Sequence, residues 1–253
     1  MNSLTTAYER ILAGLNPAPF DPKTDKYSGV FLPVPFEPYW NSRPKVMLVG
    51  RETAGWNTDN GKNTIHRVIH ASDLGGLGQI VKEATGRYLK HLEYRSDGRI
   101  KTTSPHRLKQ YFFQLARELD VNPEGIFYAN LFAWDYNKGT PNKRPSSERA
   151  EIISISNQLL ATQIKHLNPD FIIFATGYEG IDPIIRLLFN DHFDGYKNTS
   201  VVPEKLWEFK AAGSTCFRIA HPRATHGHQE FRGEVISRIK QYLLNSQSLE
   251  TQA

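Results

Sequence analysis

The stretch "FRIAHPRATHGH", Phe217 to His228, places three histidines within eight residues, directly after an apolar run. An imidazole at the end of a buried strand can hydrogen-bond an oxygen that gains negative charge during a reaction. Two other segments end in groups of complementary chemistry. "KVMLVGRETAGW" runs from an apolar stretch into Gly50, Arg51 and Glu52, and "GIFYANLFAW" carries Asn130. A carboxylate orients water or stabilises a cation, and an amide offers both a donor and an acceptor to a planar ligand edge. Each residue also has an ordinary reading. His221 can be a satisfied polar residue at a strand end, Asn130 a local turn-former and Glu52 a charge in the first turn of a helix. The remaining histidines, His226 and His228, read as loop residues; with Glu230 nearby, nothing in their spacing fixes a metal geometry, so no metal is expected.

These groups gain meaning from the elements that must hold them. "KVMLVG" (45–50), "GIFYANLF" (125–132), "DFIIFATG" (170–177) and "STCFRIAH" (214–221) are short and continuously apolar, as strands of a buried parallel sheet are. "KLWEFKAAG" (205–213) is an edge strand or a hairpin arm. Leu4, Tyr8, Ile11, Leu12 and Leu15 recur at helical spacing. A second helix follows Ser104-Pro105, with Leu108, Tyr111, Phe112, Leu115, Ala116 and Leu119 on its core face. A third begins at a Ser147 cap and stops at Asn168-Pro169, a short one covers 181–189, and Phe231, Val235, Ile239 and Tyr242 mark the last. Strands alternating with helices predict an α/β fold, a three-layer α/β/α sandwich with a four-stranded, mainly parallel central sheet. Seven prolines in residues 17–44 predict an extended arm. The expected organisation is a helix and Pro-rich arm over 1–44 packed on the domain, one α/β domain over 45–245, and a polar, frayed tail over 246–253.

In open parallel sheets ligands bind beyond the carboxyl ends of the strands. Glu52, Asn130 and His221, far apart in sequence, are therefore expected at one crevice.

Composition sets further bounds. The 253 residues carry 31 Lys+Arg against 26 Asp+Glu, a formal +5, which permits a polyanionic partner without requiring one. The run 82–109 holds eight Lys/Arg against three acids, with Tyr88 and Tyr94 between them. It is a solvated face or a phosphate-contacting rim, and the solvated face is the favoured reading. No apolar stretch reaches the ~18 residues of a membrane span, and the N-terminus lacks the pattern of a secretory signal. A single cysteine, Cys216, excludes an internal disulfide and any site needing several thiolates from this chain. A cytoplasmic chain with no cofactor is expected.

In combination, these blocks resemble the uracil-DNA glycosylase superfamily. "YANLFAWDYNKGTPNKRPSSERAEIIS…LLATQIKHLNPDFIIFATG" is similar to the family's run of a strand ending in Asn, an Asn-x-x-Pro-like loop, a capped helix, and a strand ending in glycine. "IAHPRA" resembles its His-Pro-Ser motif and "MLVGRETAG" its first motif. The likeness spans roughly 45–245. It implies Glu52 as the water-positioning group and His221 as the partner of the base carbonyl. It implies a base-binding set of Asn130, Trp56, Phe132, Trp134 and Gly50. Of these, Trp56, Phe132 and Trp134 are candidates for the ring that stacks on the base, with core packing as their other role. It implies DNA contacts by Arg223, Thr225, His226 and Arg144. The chain departs from the family in carrying Glu52 where an Asp is usual, Thr53 in place of Pro and Arg223 in place of Ser. Its one cysteine cannot hold the cluster of the iron–sulfur subgroup. Two functions follow. One is excision of a damaged or deaminated base from single- or double-stranded DNA by a monomer; the other is binding of nucleic acid or nucleotide by a relative without catalysis. An unrelated doubly wound hydrolase or nucleotide binder stands as a third reading.

Overall fold

The computed structural model describes residues 3–21, 23–56, 64–71, 76–224 and 228–250. The strands are β1 (Val46–Gly50), β2 (Ile126–Asn130), β3 (Phe171–Phe174), β4 (Lys197–Val202), β5 (Leu206–Ala211) and β6 (Ser214–Ile219). They form one sheet in the order β2-β1-β3-β6-β5-β4. The first four of these are mutually parallel, while β5 and β4 join antiparallel. The sheet is thus six-stranded and mixed, not four-stranded. The parallel core is the one the apolar runs predict, and a hairpin extends it. Ala212 and Gly213 turn β5 into β6 with φ of 52° and 76°, the left-handed backbone a tight two-residue hairpin requires. The strand β4 escapes a periodicity reading because "KNTSVV" is polar and mostly exposed, as an outer edge strand is.

Eight helices complete the described fold: α1 (Leu4–Ala13), α2 (Pro38–Asn41), α3 (Ile65–Ile69), α4 (Leu77–Tyr88), α5 (Arg107–Glu118), α6 (Ser146–Leu167), α7 (Asp182–His192) and α8 (Gln229–Glu250). They cover both faces of the sheet. Met47 and Val49 join one core cluster with residues of α1, α4, α6 and α7, while Val46 and Leu48 join another with α5 and α8. A strand buried on both faces has no polar alternation, which is why β1 reads as one apolar run. The helix α6 starts at Ser146 after Pro145, with no side-chain cap from Ser147, and Asn168 ends it at φ 44°. The last helix continues to Glu250, past the expected start of a frayed tail.

The Pro-rich arm is built into the region beyond the sheet. Tyr27, Ser28, Val30, Phe31 and Leu32 are buried. The amides of Ser28 and Phe31 donate to the carbonyls of Asp135 and Ala133 at 2.9 and 2.7 Å, and that of Gly29 donates to Trp56 at 2.8 Å. The arm therefore holds together the segments that follow β1 and β2. No described helix is long and apolar enough to cross a membrane.

Candidate functional site

The parallel register brings Gly50 opposite Asn130, Val49 opposite Phe174 and Phe174 opposite Arg218. All four core strands thus end at one edge, and Glu52, Asn130 and His221 lie on that edge. No hydrogen bond among the described residues joins any two of them. Two strands separate β2 from β6, which at ~4.8 Å per strand sets them about 14 Å apart. The edge carries two neighbouring sets of polar groups, with Arg51 and Glu52 between them.

His221 follows β6 in a tight turn, in which the Ala224 amide donates to the His221 carbonyl at 2.7 Å. Arg232 Nη1 fixes the turn from outside by donating to the Pro222 carbonyl at 2.7 Å. The Arg223 amide donates to Nδ1 of His221 at 3.1 Å. An Nδ1 that accepts must be unprotonated, so the ring proton of the neutral imidazole sits on Nε2. Burial pulls this imidazole from its usual range down to about 4, assisted by the positive charges of Arg51 and Arg223. His221 is therefore a neutral donor at pH 7. It borders a cavity of about 540 Å³ together with Arg51, Asn142, Lys143, Thr176 and Tyr178.

Glu52 is almost buried, and Arg51 Nε donates to both of its oxygens at 2.7 and 2.9 Å. The pair places a positive group beside His221 and holds the carboxylate nearby. Glu52 and Asn130 lie outside the cavity lining.

Around Asn130 the walls are aromatic. Asn130 is 5% exposed; its Oδ1 accepts from the Tyr128 hydroxyl at 3.0 Å, and its Nδ2 is buried without a partner. A side chain at Gly50 would collide with that Oδ1, so glycine is what admits the amide. Phe31 meets Trp56, Tyr88 and Tyr128 edge-on at 5.0, 5.7 and 5.5 Å. Trp56 is half-buried, with Arg87 5.5 Å from its ring and its Nε1 buried and unpartnered. A buried donor without an acceptor is costly, and such atoms mark places where a ligand or water completes the bonding.

The other ring candidates are placed differently. Phe132 and Trp134 are both 0% exposed and belong to the core, so packing and not ligand stacking is their role here. Tyr178, on the cavity rim and 36% exposed, was not singled out from the sequence. Its signal was its place just after β3, in "FATGYEG".

Asp135 is a second residue the sequence reading passed over. It is fully buried, and its Oδ2 accepts from the Thr53 hydroxyl and from the amides of Gly55 and Trp56 at 2.8 and 3.3 Å. Its Oδ1 accepts from the Lys138 amide at 2.9 Å. One carboxylate thereby shapes the loop that carries Glu52 and Trp56. The available signal was a lone acid inside the apolar stretch "FAWDY", since an acid there is buried only when its bonds are met.

Among the DNA-contact candidates, Arg223 is exposed beside the cavity. Arg144 is not free for a phosphate. It bonds both oxygens of Glu148 at 2.9 and 3.0 Å, and its guanidinium lies 4.0 Å from the Tyr136 ring. Lys143, its neighbour, lines the cavity instead. Thr225 and His226 lie outside the described residues. The basic run 82–109 carries internal ion pairs, Glu93 with Lys101 and Lys109 at 3.2 and 3.3 Å and Asp97 with Arg99 at 2.7 Å. Its Tyr88 is fully buried. Partly neutralised, the run fits the solvated-face reading. Among the described residues no group of three His, Cys, Asp or Glu side chains is arranged to hold a metal ion. No protein-family model and no curated protein matches the chain.

Proposed function

We propose that this chain hydrolyses the N-glycosidic bond of a damaged or deaminated, uracil-like base flipped out of DNA. The observation that carries this reading is His221, a neutral imidazole held by the Arg223 amide as an Nε2–H donor bordering a cavity. When a glycosidic bond breaks, the electron pair goes to the base, whose oxygen becomes anionic, and the sugar becomes cationic. A neutral donor strengthens its bond to that oxygen without first giving up a proton, and the charge of Arg51 acts in the same direction. Glu52 would orient the water and favour the sugar cation. Asn130 and Trp56 would meet the base edge, and Arg223 and Lys143 the phosphates. The cavity volume lies within the ~300–1,000 Å³ range of small-molecule sites. In this reading the helices on both faces make the three-layer sandwich of the resembled family, and the protein works as a cytoplasmic monomer without a cofactor.

One observation favours the second reading, a nucleic-acid or nucleotide binder without catalysis: Glu52 is already paired with Arg51. Oligonucleotides carrying uracil, hypoxanthine or xanthine separate the two. Incubation followed by alkaline treatment yields strand cleavage at abasic sites if a base is excised. Saturable binding without cleavage supports the binder.

The His221 environment also sets a pH dependence. The unfolded chain takes up a proton at an imidazole near pH 6.5, and the folded chain only near 4. The buried neutral ring therefore contributes stability fully above about pH 6.5, and this is lost as pH falls through about 4; His91, also lowered to about 4 by burial, adds in the same sense. Excision should stay level from pH 8 to about 5 and fall with an acid limb near 4, measured as single-turnover rates on folded protein. A limb near 6.5 would mean an ordinary, solvated imidazole.

A further inference from the structure

Arg51 stands between the two halves of the edge. Its Nε donates to both Glu52 oxygens at 2.7 and 2.9 Å, which anchors the guanidinium. Nη1 and Nη2 donate to no group among the described residues. The side chain is 35% exposed and lines the same cavity as His221. After burial, its charge is the next cause that lowers the His221 imidazole, so the two groups share one field. A guanidinium keeps its proton in proteins and carries its donors in a rigid fork, so one end can anchor while the other meets a ligand. The same lining holds Lys143 and one acid, Glu179, both exposed.

We propose that Arg51 is a second catalytic donor: Nε holds Glu52, and the Nη groups meet the base oxygen that turns anionic beside His221. The inference rests on the glycosidic reading above and adds a residue to its chemistry. In that reaction the bond from the sugar carbon to the base nitrogen breaks, and its electron pair spreads onto the ring carbonyl. Water's oxygen bonds the sugar carbon and its proton passes to solvent, from which the base anion later takes one back. Neither a neutral imidazole nor a guanidinium gives up a proton at this step, so the base departs as an anion held by two fixed donors. Losing one of them makes the rate depend more steeply on how stable that anion is by itself.

The test compares single-turnover excision of uracil and 5-fluorouracil from single-stranded oligonucleotides; the fluorine stabilises the departing anion. Arg51→Gln is expected to slow uracil excision by about 10²–10³-fold, the loss of one oxyanion donor, and 5-fluorouracil excision by less. The ratio of 5-fluorouracil to uracil rates should therefore rise by about 10-fold. Glu52→Gln serves as the comparison, since it touches the sugar side and should slow both bases alike. If Arg51→Gln also slows both alike, Arg51 acts only through Glu52, which overturns the proposal and spares the glycosidic reading. If the wild-type chain excises neither base, that reading fails and this inference with it. Should Arg51→Gln not fold, Arg51→Lys decides: its one ammonium stays with Glu52 and leaves no donor for the base, so the ratio should again rise. An unchanged ratio in that variant overturns the proposal.

Discussion

If the chain is the proposed glycosylase, His221→Ala is expected to slow single-turnover excision by about 10²–10³-fold, the loss expected for one oxyanion donor, with DNA affinity little changed. In the proposed reaction its Nε2–H would meet an oxygen that becomes charged only as the bond breaks, so the interaction would be stronger in the transition state than in the ground state. The Arg223 amide loses its Nδ1 acceptor in this variant. That amide belongs to an exposed residue and can bond water, so the fold should persist. Thermal unfolding of the variant checks this. If rate and affinity fall together with stability, His221 is a structural strand-end residue. If full excision activity remains, it has no part in the chemistry.

Trp134→Ala tests the opposite kind of residue. Trp134 is wholly buried in the cluster that includes Ile152, Ile155 and Leu159, and its truncation should cost about 3–5 kcal/mol of stability. Its unpartnered Nε1 reduces the loss somewhat, because removing an unsatisfied donor relieves part of the cost of burying it. Urea unfolding gives the value. Excision per folded molecule should be unchanged. A variant of normal stability that no longer binds DNA would return Trp134 to the role of a stacking ring.

Trp134 also illustrates what sequence can and cannot convey here. The four parallel strands were legible because burial on both faces leaves an uninterrupted apolar signature, and their ends located Gly50, Asn130 and His221. An aromatic residue just after a strand carries no such signature. Trp56 and Trp134 look alike in the chain, and only packing places one half-open beside Phe31 and the other in the core. Arg144 looked like a phosphate ligand because its i+4 partner Glu148 becomes a partner only once α6 is helical from its first turn. Asp135 was overlooked because its bonds go to backbone amides some 80 residues earlier, a pairing no local pattern announces. The polar β4 failed the same way: an edge strand needs neither apolar face nor alternation.

Long-range ¹H–¹⁵N correlation spectra of the imidazole show whether His221 is a neutral Nε2–H donor. The structure predicts, at pH 7, an unprotonated Nδ1 and a protonated Nε2, with both signals unchanged until a titration near 4. A titration near 6.5, or a proton on Nδ1, would contradict the account.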